Sequence, residues 1–178
     1  MTDALQIAIS RAARVRLMVF DVDGILTDGS LHYGLEGESL KTFNVHDGLG
    51  IKLLRQSGVA TAIITARSSP ILARRAADLA IDHVQQGAHD KKSAFEQLLA
   101  KTGVAAEATG FIGDDWIDLP VLSRAGFSAS VASAHPEVRA RVHYVTQAAG
   151  GAGAARELCD FILRAQGNYE AALAPYLA

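Results

Sequence analysis

The chain has 178 residues, 49% hydrophobic and 20% charged, which suits one globular domain with a substantial core and excludes a disordered protein. Its 17 basic and 19 acidic residues leave a formal net charge of −2, so no long-range field gathers nucleic acid or an anionic membrane, and any bound anion must be met by local groups. The single cysteine, Cys159, excludes a disulfide framework and, within the apolar helical pattern of residues 156–163, reads as a buried thiol.

The first element expected is a helix over about residues 3–13. It carries acid before base and no long uncharged apolar core, which excludes a signal peptide or membrane span and makes a soluble, cytoplasmic protein the expectation. Next comes Leu17-Met18-Val19-Phe20, which stops at Asp21, Val22, Asp23 and Gly24. Such a run reads as a central strand of a parallel sheet, whose carboxyl end is where ligands sit. Residues 30–44 hold two short strand-like halves around Leu35-Glu36-Gly37-Glu38 and predict a hairpin projecting from the loop after this strand.

Beyond the hairpin, helical patterns at 48–58, 69–80, 90–103, 116–126, 135–141 and 153–167 alternate with apolar runs at 59–66, 82–86, 109–115, 127–132 and 143–146. That order predicts right-handed crossovers and a parallel sheet with helices on both faces: a doubly wound, Rossmann-like α/β domain spanning residues 1–178, without a cap domain. Residues from about 167 to 178 are expected to form a flexible tail.

Four predicted strands end in chemically pointed residues: Asp21 and Asp23, then Thr65, then Lys91 a few residues on, then Asp114 and Asp115. Each alone reads as a helix cap or Asx turn; their coincidence at one sheet edge is what points to chemistry. Carboxylates this close raise one another's pKa unless a cation sits among them, and an oxygen-only set suits a hard divalent ion, Mg²⁺. Mg²⁺ keeps waters and a phosphate among its ligands, so a phosphorylated substrate is expected. One carboxylate can then attack phosphorus to give an aspartyl phosphate, with Lys91, Thr65 and backbone N–H groups stabilising the charge that develops. Asp23, on the same side as Asp21, is placed to protonate the leaving alkoxide and then activate water.

Lys91 shares the helix face of Phe95, Leu98 and Thr102, whereas Lys92 turns away, so Lys91 is the lysine aimed at the sheet edge. Asp115 and Asp118 read equally as an N-cap and a first-turn acid or as residues behind a metal ligand.

The Asp-Val-Asp-Gly stretch, a threonine at an apolar strand end, a lysine opening a helix, and Gly-Asp-Asp with Asp118 four residues past Asp114, in that order, resemble the haloacid dehalogenase superfamily of phosphotransferases. The resemblance implies that Asp21 is the nucleophile, Asp23 the general acid and base, Thr65 and Lys91 phosphate ligands, and Asp21, the Asp23 carbonyl and Asp114 the holders of Mg²⁺. Residues 21–65 leave room only for a hairpin and one helix, and 65–91 for a single crossover. With no lid of its own, the site calls for a covering subunit or a macromolecular substrate.

Over roughly the whole chain after the first helix, segments such as FNVHDGLGIK, IITARSS, RRAADL and GGAGAARELCDFIL are similar to the 3-deoxy-D-manno-octulosonate 8-phosphate phosphatases of lipopolysaccharide precursor biosynthesis. That resemblance implies a homotetramer in which hairpins associate and the glycine-rich stretch of one chain approaches another's site. It also implies substrate contacts at Asp23, Asn44, Val45, His46, Asp47, Gly48, Lys52, Arg67, Arg75 and Lys91, arginine being suited to a bidentate carboxylate grip. From the residues alone, Arg74 is as eligible as Arg75. His46 and Ala152 stand where that family's pattern has arginine, so a nine-carbon ulosonate 9-phosphate stays open as substrate. His32, His83, His89, His135 and His143 show no metal spacing and read as structural or exposed.

Two rivals come from other classes. A phospho-receiver signalling module needs its acceptor aspartate at the third strand, where residues 82–86 offer nothing suitable. A noncatalytic oligomerisation module has no need of intact Asp21, Asp23, Thr65, Lys91 and Asp114.

Overall fold

The structure, a computed structural model, describes residues 3–177. Helix α1 (Asp3–Ala12) leads into β1 (Leu17–Phe20), followed by the hairpin strands β2 (His32–Gly34) and β3 (Gly37–Leu40) and by α2 (Val45–Gln56). Then come β4 (Ala60–Ile64), α3 (Pro70–Asp78), β5 (His83–Gln85), α4 (Lys91–Thr102), β6 (Thr109–Ile112), α5 (Leu119–Leu122), β7 (Phe127–Ser130), α6 (Pro136–Arg139), β8 (Tyr144–Val145), α7 (Ala154–Ala165) and α8 (Tyr169–Leu173). Six strands form one parallel sheet in the order β5-β4-β1-β6-β7-β8, with β1 between β4 and β6. The strand order reverses at β1, and that switch point opens a crevice at the carboxyl ends of the strands.

Strand alternation divides the core in two. Met18, Phe20 and Ile63 face the layer of α1, α2 and α7, whereas Leu17, Val19, Ala62 and Ile64 face α4 and α5 with Phe95, Leu98 and Phe111. Burial on both faces is why β1 reads as an unbroken apolar run. No helix among the described residues is long and apolar enough to cross a membrane.

The hairpin closes through Leu35-Glu36 between the paired Gly34 and Gly37 and carries a bulge at His32/Tyr33. Two expectations are corrected. The pattern at 116–126 splits into a 3₁₀ turn (Trp116–Asp118) and the short α5, with Pro120 in the first turn of that helix. The stretch expected as a flexible tail forms α8 and a 3₁₀ turn (Ala174–Tyr176) over its described part, Ala178 lying outside the described residues. Tyr169 and Ala172 pack against the core, and the Arg164 guanidinium sits 3.4 Å over the Tyr169 ring.

Candidate active site

Asp21 is the first residue past β1, and its N–H donates to the Ile112 carbonyl at 3.0 Å, which extends the β1–β6 ladder to the aspartate itself. The chain then folds over on Thr27, whose hydroxyl accepts from the N–H groups of Gly24 (3.4 Å) and Gly29 (3.2 Å). Gly24 has φ of 83°, and a Cβ there would stand 2.1 Å from an Asp114 carboxylate oxygen. Glycine is therefore required both for its left-handed backbone and for the approach of Asp114. Gly150 braces the same loop from behind, since a Cβ on it would meet the Gly24 carbonyl oxygen at 1.7 Å. The glycine-rich stretch thus packs on the loop after β1 of its own chain.

α4 opens beside this loop under an Asp90 N-cap, whose carboxylate accepts from the Ser93 N–H at 3.1 Å. Lys91, 3% exposed, extends its ammonium to Asp21 at 2.9 Å and to Asp118 at 2.6 Å. Asp118 is fully buried; its second oxygen accepts from the N–H groups of Asp114 (3.0 Å) and Asp115 (3.2 Å). Asp115 points outward and caps the 3₁₀ turn through the Trp116 N–H at 2.7 Å. Thr65 is buried, and its backbone is held by the Gln85 carbonyl and the Ala88 N–H, which leaves its side chain to line the crevice.

The balance of charge is acidic. Burial, then the charge of Asp118, pushes Asp21 up to about 7 against the opposing pull of Lys91. Burial, then Asp118, likewise lifts Asp114 to about 7. Burial lowers the Lys91 pKa, but Asp21 and Asp118 together outweigh it and the net shift is upward. Asp21, Asp114 and Asp118 each offer an oxygen within 4.8 Å of the others. Both Asp118 oxygens are engaged, by Lys91 and by two N–H groups, so Asp118 fits a supporting part and Asp21 and Asp114 are the carboxylates suited to a cation.

Asp23, Arg67, Asp115 and Ile117 join Asp21, Thr65, Lys91 and Asp114 among the residues that line a cavity of about 240 Å³. Asp23 is ion-paired with Lys41 and stands 3.5 Å from Arg67 Nε. Arg67 also donates to Glu38 (3.2 Å) and to the Tyr33 hydroxyl (3.0 Å). The other expected substrate contacts stand apart from this cavity, and four of them, Asn44, Asp47, Gly48 and Arg75, have work of their own. Asn44 caps α2 through the His46 N–H at 2.8 Å, Asp47 accepts from the Arg156 N–H at the start of α7 at 2.8 Å, and Gly48 lies against the Arg75 guanidinium. Arg75 donates to the Asn44 carbonyl at 3.2 Å and sits over the Phe43 ring, whereas Val45, His46, Lys52 and Arg74 face solvent.

Of the two roles left open for Asp118, the geometry fits the residue behind a metal ligand, with one oxygen on Lys91 and the other on the Asp114 and Asp115 N–H groups. One site residue escaped sequence reasoning: Lys41 carried no signal, since a lysine at the end of a hairpin strand reads as solvated.

A family model described as haloacid dehalogenase-like hydrolase matches residues 79–158, the class that the switch-point carboxylates and the buried lysine define. The 3-deoxy-D-manno-octulosonate 8-phosphate phosphatase KdsC of Yersinia pestis is 48% identical over 92% of this chain and 88% of its own. The crystal structure of a probable YrbI-family phosphatase from Pseudomonas syringae superposes with a TM-score of 0.95 at 48% identity, covering 97% of this chain and 98% of that one. That of the Moraxella catarrhalis 3-deoxy-D-manno-octulosonate 8-phosphate phosphatase, solved with magnesium, phosphate and KDO, gives 0.93 at 44% identity over 96% and 98% of the two chains. The chain belongs to the family of 3-deoxy-D-manno-octulosonate 8-phosphate phosphatases.

Proposed function

We propose that the protein is a Mg²⁺-dependent phosphatase that hydrolyses 3-deoxy-D-manno-octulosonate 8-phosphate to the free sugar acid and phosphate, in the assembly of lipopolysaccharide precursors. The observation that carries this reading is the Asp21–Lys91–Asp118 cluster with Asp114 at the switch point, in a chain 44–48% identical to phosphatases of that name. Asp21 attacks phosphorus, and the alkoxide leaves with a proton from Asp23. Asp23 then takes a proton from water as the water attacks the aspartyl phosphate. Lys91 and Thr65 hold the phosphoryl oxygens, and Asp118 aims the lysine. Asp21, the Asp23 carbonyl and Asp114 hold the Mg²⁺, which when bound neutralises the carboxylates and the phosphoryl charge. Arg67, at the cavity rim beside Asp23, supplies a cation for the sugar acid.

The reading includes a homotetramer. Leu31, Tyr33, Leu35 and Leu40 of the hairpin region and Val45 beyond it are exposed, a concentration of apolar surface that favours a covering subunit. It also places the reaction in the cytoplasm, where a lone, fully buried thiol such as Cys159 is at home. Phosphate release from a panel of six- to nine-carbon sugar acid phosphates, with and without Mg²⁺, tests the function. The eight-carbon ester is expected to be hydrolysed fastest, only with the metal, and Asp21→Asn to be inactive while folded. Release that survives Asp21→Asn removes this aspartate from the chemistry.

A further inference from the structure

We propose that Lys41, at the end of the hairpin, is a positioning residue for catalysis: it fixes the Asp23 carboxylate in the orientation from which protons are passed. The inference rests on the acid–base part given to Asp23 above. Only 2% of the Lys41 side chain is exposed, and its ammonium is ion-paired with Asp23 and, at 3.1 Å, with Glu38. Burying an ammonium is costly unless carboxylates replace its water, and a lysine serving only solubility would stay in solvent as Lys92 does, its side chain 45% exposed.

The two catalytic carboxylates are held in different ways. Asp21 sits at the end of a strand ladder and against Lys91. Asp23 is two residues farther along, on the loop, and among the described residues its carboxylate is met only by Lys41 and, at 3.5 Å, by Arg67. Glu38 closes a ring of alternating charge, Asp23–Lys41–Glu38–Arg67, by binding both cations, at 3.1 and 3.2 Å. The acid–base group is thus oriented from the hairpin. Lys41 does not line the cavity, so it acts through Asp23 and not on the substrate. A displacement of about 1 Å in such a group is enough to slow proton transfer strongly.

p-Nitrophenyl phosphate separates this part from a merely structural one. In the first step the Asp21 oxygen bonds to phosphorus and the ester P–O bond breaks, its electron pair leaving as p-nitrophenolate, which needs no proton. In the second, water oxygen bonds to phosphorus, its proton passes to Asp23, and the acyl-phosphate P–O bond breaks to return the Asp21 carboxylate and free phosphate. Mispositioning Asp23 therefore spares the first step and slows the second. Lys41→Met is expected to give a burst approaching one p-nitrophenolate per chain, followed by turnover at least about 10-fold below wild type. KM for the sugar phosphate should stay within about 3-fold, and Lys41→Arg should recover part of the turnover. Glu38→Gln, which keeps the lysine but frees one side of it, should show the same burst with a smaller loss, and serves if Lys41→Met fails to fold. Turnover within about 2-fold of wild type in folded Lys41→Met, or a loss without a burst, overturns the proposal. Asp23→Asn is run alongside: if it is slowed while Lys41→Met is not, only the positioning part falls. If Asp23→Asn is itself unimpaired, the acid–base reading falls and takes the proposal with it.

Discussion

Asp21 and Asp114 are pushed up to about 7 by burial in the metal-free chain, and this has a consequence for stability opposite to that of an ordinary paired carboxylate. The unfolded chain releases both protons near 3.8, the ordinary value for an aspartate, whereas the native chain holds them until about 7. Between those limits the native state binds more protons than the unfolded state, so stability falls as pH rises and the full penalty is present above about 7. A divalent cation that binds only the native, ionised cluster removes the penalty, and does so most where the carboxylates are charged. Metal-free protein should therefore lose melting temperature from pH 5 to pH 8 at these two groups, and Asp114→Asn should flatten that decline. Mg²⁺ should raise the melting temperature more at pH 8 than at pH 5. Scanning calorimetry of wild type and variant across this range checks the sign, and an Mg²⁺ stabilisation equal at both pH values would contradict a cluster built to hold the ion.

Elements differ in how openly the sequence announces them. β1 was legible because burial on both faces demands an unbroken apolar run, and β4 because its buried run is interrupted only by Thr61. The hairpin was legible because its two-residue turn lies between glycines. α8 was not: a five-residue helix is marginal by itself, and it forms because Tyr169 stacks with Arg164 and packs on the core, a partnership no local pattern displays. The site divides in the same way. Asp21, Thr65, Lys91 and Asp114 follow from strand ends and one helix face, whereas Lys41 depends on a hairpin folding back over the sheet edge. The segment 44–48 shows why motif residues need geometry, since Asp47 is buried at the α2–α7 junction and binds the Arg156 N–H in the first turn of α7. α7 begins at Gly153 in a left-handed conformation with no side-chain cap of its own, so Asp47 supplies from α2 the acceptor that a capping residue would provide. Asp47→Ala should cost about 1–2 kcal/mol of unfolding free energy in urea, the range for loss of a cap. The midpoint should move without a change of slope. An unchanged midpoint would mean that water satisfies this N–H as well as the carboxylate does.

At the scale of the whole molecule, the exposed apolar surface and the open cavity are both explained by the proposed partner, a second copy of the chain. The cavity opens beside the hairpin that carries Tyr33 and Glu38, and no cap domain lies over it among the described residues. A two-stranded hairpin does not hold its shape in water unaided. This one is tied down by the Asp23–Lys41–Glu38–Arg67 ring and leaves Leu31, Leu35 and Leu40 exposed. Association of hairpins from neighbouring chains would bury those leucines, brace Lys41 from outside and exclude water from the aspartyl phosphate. Light scattering of the wild type at micromolar concentration should give four times the mass of the chain. Replacing Leu31 and Leu35 by lysine should shift it toward the single-chain mass, because each charge would be buried in an apolar contact. The dissociated protein should keep its Asp21–Lys91–Asp118 cluster, which lies wholly within one chain, yet lose kcat/KM for the sugar phosphate by about 10-fold or more as cover over the site is lost. A wild type that runs as a monomer at full activity would show that the hairpin holds Asp23 without outside support, and that its leucines serve another contact.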